Sequence, residues 1–211
     1  MSKQITRQDA EKMLQAVRER WVSIGRARDT LFMYDNHIYG AARVAEGIAA
    51  KSGYMNPERA YISALLHDVA KIDESPESNL GRFHGIMGYE LLKDKDTDAA
   101  RAALLHEMPW NKVIKEKFLG NDDDYKFALD FAAKHPLRDE DLLIQLADAM
   151  ANKNGIVTLE QRLADFMSRS GYEGQFRKNI QMPTSAIQSY LDIKQYFDKK
   201  LGMNIYDLFF S

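Results

Sequence analysis

The segment ALLHDVAK, residues 64–71, decides the fold of this chain. Its Ala-Leu-Leu run is apolar and favours a helix, and it leads directly into His67 and Asp68. An imidazole and a carboxylate on an apolar helical face cost free energy to bury unless they share a partner. The segment therefore predicts a helix that carries polar ligands into a protein core.

Three other histidines and a second aspartate lie in similar apolar surroundings. His37 lies in NHIYGAARVAEGIA, His84 in RFHGIMGYELL, His106 in AARAALLHEM and Asp148 in LIQLADAM. One such histidine alone would ordinarily be a hydrogen-bonded core residue. Several of them with two aspartates are better satisfied by one shared metal centre. The chain has no cysteine, so nitrogen and oxygen ligands would hold Fe, Mn, Co, Ni or Zn.

Helical periodicity dominates the rest of the chain, and strand-like alternation is scarce. The sequence therefore predicts an all-α protein, with residues 1–211 forming a single domain. An N-terminal helix over 7–25 and C-terminal helices over 158–200 would pack on the central part of this domain, about residues 30–155. Asn56-Pro57 and Thr158 are typical helix starts. The predicted helices cover 7–25, 38–52, 57–70, 84–93, 97–107, 123–134, 139–152, 158–170 and 185–200.

Composition excludes several classes of protein. The formal net charge of −2 over 211 residues argues against a dedicated nucleic-acid binder, which would carry a strong basic excess. No apolar run approaches the roughly 20 residues that span a bilayer. Together with the lack of cysteine, this predicts a cytoplasmic protein with no membrane partner.

His37, His67-Asp68 and Asp148, in this order, resemble the H…HD…D signature of the HD-domain superfamily of metal-dependent phosphohydrolases. The resemblance covers roughly residues 30–155. His84 and His106 resemble the two extra histidines of its binuclear branch, which includes bacterial diadenosine-tetraphosphate hydrolases of the HD type and cyclic-dinucleotide phosphodiesterases. Glu107 departs from the branch, which commonly has Thr or a similar small polar residue there.

The resemblance implies a role for each ligand. One or two divalent metal ions are expected, with a binuclear centre favoured, in which Asp68 bridges the two metals. The shared hydroxide would attack a small phosphate ester or anhydride, such as a nucleotide. His67 and Asp68 are about 100° apart on a helix, so both reach one metal only if the helix end points at it or the carboxylate leans across. The first metal would be held by His37, His67, Asp68 and Asp148, and the second by Asp68, His84 and His106.

Substrate contacts are predicted from residues near these ligands. Lys71, three residues after Asp68, would act with it in catalysis and place an ammonium near a phosphate oxygen or leaving group. The alternative for Lys71 is a solvated lysine at a helix end. Arg82, in the irregular stretch 72–83, would bind a substrate phosphate. The alternative for Arg82 is a solvent-exposed arginine with no role in the site. Asn152 and Lys153 would project from the Asp148 helix near the pocket rim.

Two other functions fit the same ligand set. A small branch of the superfamily uses a matching H…HD…H…H…D set to hold two irons that activate dioxygen, as in inositol oxygenase. A non-catalytic regulatory HD module is the other alternative, although such modules usually lack ligands. Outside the site, Tyr190, Ile193 and Phe197 share one helical face, which would complete the core or form a homodimer contact.

Overall fold

The computed structural model describes residues 4–25, 28–71, 82–112, 121–170 and 184–210. Nine α-helices and one two-stranded antiparallel hairpin occur within them, which confirms the all-α prediction. The helices are α1 (Arg7–Ser23), α2 (Arg28–Ser52), α3 (Pro57–Leu65), α4 (His84–Leu92), α5 (Thr97–Leu105), α6 (Asp122–Lys134), α7 (Asp139–Ala149), α8 (Leu159–Ser170) and α9 (Thr184–Leu201). The strands are β1 (Ala151–Asn152) and β2 (Gly155–Ile156), and short 3-10 turns cover Pro109–Asn111 and Ile205–Leu208.

Helix α2 lies at the centre of the fold and contacts α3, α7 and the hairpin. Its buried face combines Ile38 and Ile48 with small residues such as Ala41, Ala42 and Ala45, all of which are fully buried. Alanine lets neighbouring helices approach closely, and isoleucine fills the remaining space. His37, next to Ile38 on α2, is therefore mostly enclosed by the neighbouring helices.

The predicted helix starts at Asn56-Pro57 and Thr158 are confirmed. The side chain of Asn56 accepts a hydrogen bond from the backbone N–H of Arg59 at 3.1 Å, and Pro57 is the first residue of α3. The hydroxyl of Thr158 accepts from the N–H of Gln161 at 3.2 Å, and α8 begins at the next residue. Both caps satisfy N–H groups that the first turn of a helix leaves without partners.

Helix α2 begins ten positions earlier than the predicted start at residue 38. Tertiary contacts stabilise this first part, which contains helix-disfavouring residues such as Asp29 and Asn36. The ring of Tyr34 packs 5.1 Å from that of Trp21. Arg18 pairs with Asp35 at 2.9 Å. These contacts fix the first turns of α2 against α1.

Helices α3 and α5 end earlier than predicted, at Leu65 and Leu105 instead of residues 70 and 107. In each case the ring of the histidine that follows the helix donates a hydrogen bond to a backbone carbonyl. In a longer helix, that carbonyl would accept from a backbone N–H. The carbonyl of Ala64 accepts from Nδ1 of His67 at 2.6 Å, and that of Ala103 accepts from Nδ1 of His106 at 2.8 Å. The repeated Ala-Leu-Leu-His phrase therefore encodes a helix end that presents a histidine.

Helix α7 ends at Ala149, and the predicted helical segment 150–152 is wrong. Met150 caps the helix, and the chain then forms the β1–β2 hairpin, in which Ala151 pairs with Ile156. Gly155 has φ +96°, a conformation that glycine adopts without steric cost. Asn154-Gly155 is a typical hairpin signal.

The C-terminal residues Tyr190, Ile193 and Phe197 are buried in the main hydrophobic core, as one of the two predictions for them states. Gly47 on α2 makes room for the ring of Phe209, because a Cβ there would lie 2.9 Å from Cε1 of that ring. Among the described residues, no helix combines the length and the apolarity that crossing a membrane requires.

Candidate metal centre

The four histidines and two aspartates of the predicted centre come from five places in the chain and meet in the interior. His37 lies on α2, His67 and Asp68 follow the end of α3, and His84 is the first residue of α4. His106 follows the end of α5, and Asp148 lies in the last turn of α7. The side chains of His67, His84 and His106 are at most 1% exposed. The helix end after α3 points at the site, which lets neighbouring His67 and Asp68 face it together.

A first group of ligand atoms surrounds Asp148. Nε2 of His37 lies 3.1 Å from Oδ1 of Asp148 and 3.2 Å from Nε2 of His67. Nε2 of His67 lies 3.6 Å from the same carboxylate oxygen. The separations among these three atoms fit nitrogen and oxygen ligands around one divalent ion.

A second group lies on the other side of Asp68. Nε2 of His84 and Nε2 of His106 are 3.1 Å apart. They lie 3.0 and 3.3 Å from Oδ1 of Asp68, respectively. The other oxygen, Oδ2, faces the first group, 3.8 Å from Nε2 of His37 and 3.7 Å from Nε2 of His67. Each oxygen of Asp68 therefore faces a different pair of histidines.

Hydrogen bonds to backbone carbonyls orient three of the imidazoles. Nδ1 of His37 bonds the carbonyl of Ala151 at 3.1 Å, and the carbonyls of Ala64 and Ala103 hold His67 and His106 in the same way. Because a carbonyl only accepts, Nδ1 carries the proton and Nε2 presents its lone pair to the site. Three inward-facing lone pairs beside carboxylates repel one another unless protons or cations lie between them.

The buried carboxylate oxygen Oδ1 of Asp68 accepts no hydrogen bond of suitable geometry within the described part of the chain. A buried acceptor without a partner costs free energy, and so does a set of opposed imidazole nitrogens. A cation satisfies both at once. The residues present therefore fit a metal centre of nitrogen and oxygen ligands.

Close packing of α4 on α5 sets the spacing of the second group. A Cβ on Gly85 would lie 2.7 Å from the carbonyl oxygen of Ala103, and one on Gly88 would lie 2.9 Å from Cβ of Ala103. Both glycines thus allow α4 to approach the carbonyl that orients His106. His84, next to Gly85, is brought within reach of His106 by this contact.

The β1–β2 hairpin orients the first group. Besides the bond from His37 to Ala151, Nδ2 of Asn36 donates to the carbonyl of Lys153 at 2.8 Å. Gly40 permits the approach, since a Cβ there would lie 3.1 Å from the backbone carbon of Gly155. The hairpin therefore anchors one metal-ligand candidate to α2 through its backbone.

Electrostatics around the first group follow from burial and opposite charge. Burial favours the neutral forms, but Asp68 and Asp148 together raise the pKa of His67 above its ordinary value. Burial alone would raise the pKa of Asp148, yet its contacts with His37 and His67 hold that pKa well below its usual range. Both carboxylates stay ionised at neutral pH, because the positive charges beside Asp68 likewise hold its pKa well below normal.

In the second group, the neighbouring carboxylates also favour the protonated form of a histidine, His84. Burial and Lys71 each lower the pKa of His84, but the carboxylates of Glu107 and Asp68 outweigh them and raise it to about 9. Desolvation raises the pKa of Glu107, while Lys71 and His84 more than offset this and lower it to about 2. This pocket therefore attracts a proton or another cation.

Lys71 and Glu107 lie together at the second group. Nζ of Lys71 is 3.3 Å from Oε1 of Glu107 and 3.9 Å from Oδ1 of Asp68. Lys71 is thus directed into the site, whereas a solvated helix-end lysine was the alternative. The sequence identified Glu107 only as a departure from the binuclear branch.

The other predicted substrate contacts lie in different settings. The guanidinium of Arg82 pairs with Glu90 at 3.0 Å and with Asp124 at 3.3 Å. Asn152 is buried and accepts from the N–H of Asn154 at 2.8 Å, while Lys153 is exposed. Both were predicted to project from the Asp148 helix, and this prediction is wrong, because α7 ends at Ala149 and both residues lie in the β1–β2 hairpin. Residues 72–81 of the predicted loop lie outside the described residues.

Two residues that the sequence reasoning missed support the site. The hydroxyl of Tyr34 donates to the carbonyl of Asp68 at 3.1 Å. Gln145 donates to the carbonyls of Leu105 and Met108 at 3.1 and 2.9 Å, which fixes the turn around His106. A buried glutamine within the apolar run LIQLADAM was the available signal, because such a side chain needs backbone partners.

The fold and the site define an all-α protein with a buried cluster of histidine and aspartate ligands. A family model of the HD domain matches residues 34–153. This match covers more than half of the chain, and the protein belongs to the HD-domain family. Searches of curated proteins and of solved structures gave no match.

Proposed function

We propose that this protein is a phosphohydrolase that uses two divalent metal ions to hydrolyse a small phosphate ester or anhydride, with nucleotides as the first candidates. The observation that carries the proposal is the position of Asp68. Its two carboxylate oxygens face two separate groups of histidines, at distances of 3.0 to 3.8 Å. A bridging carboxylate between two ligand groups is suited to a pair of cations.

His37, His67 and Asp148 would hold the first cation together with Asp68, and His84 and His106 would hold the second. This set of imidazoles and carboxylates without thiolate suits Mn, Fe, Co, Ni or Zn. When bound, such a pair lowers the pKa of a water molecule and neutralises charge on phosphoryl oxygens. Membership of the HD-domain family supports this assignment.

The protein's own residues would orient the ligands and the substrate. Carbonyls of Ala64, Ala103 and Ala151 keep the proton on Nδ1, so that Nε2 faces the centre. The ammonium of Lys71, with its side chain 26% exposed, can reach a phosphoryl oxygen or a leaving group. Exposed Lys153 could bind a more distant phosphate, and buried Asn152 would shape the rim of the pocket.

Arg82 would contribute to substrate binding only by exchanging one of its carboxylate partners. Its guanidinium is shared between Glu90 on α4 and Asp124 on α6. A phosphate would replace one of these ion pairs with another of the same kind. Lys71, in contrast, already faces the ligand cluster.

The test is hydrolysis by metal-depleted protein reloaded with Mn, Co or Ni without dioxygen, over a panel of nucleotides and phosphate esters. We expect phosphate or phosphomonoester that carries one oxygen from ¹⁸O-labelled water. Asp148→Asn, prepared in parallel, reveals contaminating phosphatase because it lacks one carboxylate ligand. Activity that requires iron and dioxygen, without hydrolysis across the panel, would assign the protein to the oxygenase branch. Metal binding without either activity would indicate a regulatory module.

A further inference from the structure

The ammonium of Lys71 lies among the ligand atoms of the second group. Nζ is 3.2 Å from Nε2 of His84, 3.3 Å from Oε1 of Glu107 and 3.9 Å from Oδ1 of Asp68. His84, in turn, lies 3.1 Å from His106 through their Nε2 atoms. A positive charge of the protein itself therefore stands where four potential ligands converge.

Glu107 is a fourth potential ligand of this group. Its Oε1 lies 3.8 Å from Nε2 of His84, and His84, His106 and Glu107 each offer one ligand atom within 4.8 Å of the others. With Oδ1 of Asp68, they form two nitrogens and two carboxylate oxygens around one small volume. That composition suits a divalent transition metal.

An ammonium and a divalent cation cannot share this volume. Like charges a few ångströms apart repel strongly in a partly buried site. Each of them, in contrast, balances the negative charge of Asp68 and Glu107. Lys71 and a metal ion are therefore alternative occupants of this volume, and binding of the metal requires departure of the Lys71 ammonium.

We propose that Lys71 occupies the position of the second cation when that cation is absent, and that Glu107 is a ligand of the second cation. This inference rests on the two-cation centre of the proposed function. Binding of the second cation displaces the Lys71 side chain toward solvent, in the direction in which it is already partly exposed. The first group has no lysine among its ligand atoms in the described residues, so the first cation binds more tightly.

The exchange connects metal loading to substrate binding. The backbone N–H of Lys71 stays bonded to the carbonyl of Asp68 at 2.9 Å, so the displaced side chain pivots from a fixed point beside the centre. Its ammonium is then available for a phosphoryl oxygen. A protein with only the first cation bound has Lys71 engaged with Glu107 and His84 and binds substrate phosphate weakly.

The test is titration of metal-depleted protein with Mn²⁺, followed by electron paramagnetic resonance of free ions and of the spin-coupled pair. Lys71→Ala should tighten the second site about tenfold, because no charge-assisted hydrogen bond has to be broken first. Glu107→Gln should weaken the second site about tenfold or more, with the first site unchanged in both variants. Lys126→Ala and Glu58→Gln, at exposed positions, are the matched controls and should bind like the parent protein.

Amine labelling mapped to single peptides gives a second measurement on the unmodified chain. Labelling of Lys71 should increase when Mn²⁺ saturates the second site, while labelling of Lys126 stays constant. A second site that is unchanged or weaker in Lys71→Ala, or Lys71 labelling that does not increase, overturns the inference. If the parent protein binds two ions normally, the proposed function survives that result. If it binds none, both fail.

Discussion

Nδ1 of His37 donates to the carbonyl of Ala151 at 3.1 Å, so a metal-ligand candidate on α2 is oriented by the backbone of the β1–β2 hairpin. Asp148, its partner at 3.1 Å, lies three residues before Ala151. The same short stretch of chain therefore supplies a carboxylate to the first group and fixes the imidazole opposite. Displacement of the hairpin should disturb the first group without touching a ligand.

Gly40→Ala tests this connection. The new Cβ would lie 3.1 Å from the backbone carbon of Gly155 and 3.2 Å from Cβ of Ala151, so the hairpin must shift by a few tenths of an ångström. We expect the first Mn²⁺ site to weaken severalfold and the free energy of unfolding to fall by about 1–3 kcal/mol, as for other overpacked cores. Calorimetric Mn²⁺ titration and urea unfolding measure the two effects. Unchanged first-site affinity would show that the hairpin does not orient His37.

Gly85→Ala is the counterpart for the second group. Its Cβ would lie 2.5 Å from Cε1 of Phe83 and 2.7 Å from the carbonyl oxygen of Ala103, so α4 must move away from α5. Because this contact sets the spacing of His84 and His106, the Mn²⁺ affinity of the second site should fall more than that of the first. A larger loss of affinity at the first site, measured in the same calorimetric titration, would contradict the division into two groups.

The sequence predicted much of the site because its ligands carry an intrinsic cost. His67, His84 and His106 stand in apolar segments where an unpartnered imidazole would be destabilising, and a shared centre was the simplest remedy. The prediction of a shared centre needed no knowledge of tertiary contacts. Family resemblance then divided the ligands into two groups, and the two oxygens of Asp68 do face two separate groups.

The parts that the sequence did not predict depend on contacts between distant segments. Lys71 and Glu107 are 36 positions apart and meet because α3 and α5, whose ends they follow, contact each other. The first turns of α2 are helical because Tyr34 and Asp35 pack on α1, which overrides weak local propensity. The hairpin after Met150 had a local signal in Asn154-Gly155, but its bond to His37 is tertiary.

Asp68→Ala should abolish binding of both cations, since it removes one oxygen from each group. Turnover of the best phosphate substrate should fall by several orders of magnitude, whereas the helical circular dichroism should persist because the hydrophobic core is unchanged. Asp130→Ala, which removes an exposed carboxylate that pairs with Lys134 on α6, should retain both ions. Metal content after dialysis is the decisive measurement, and an Asp68→Ala protein with two ions per chain would refute the bridging role.

The stability of the metal-free protein should depend on pH through His84. Its pKa, raised to about 9, exceeds the value of about 6.5 for an unfolded chain, so the folded state binds the proton more tightly. Its stabilising contribution is complete below pH of about 6.5 and is lost as the pH rises through about 9. Urea unfolding should therefore show that the metal-free parent protein loses more stability between pH 7 and 9.5 than the His84→Gln variant, which cannot take up the proton.

The proton on His84 also competes with the second cation, so the Mn²⁺ affinity of that site should rise over the same pH range. Parallel stability profiles for the two proteins would mean that His84 does not hold this proton.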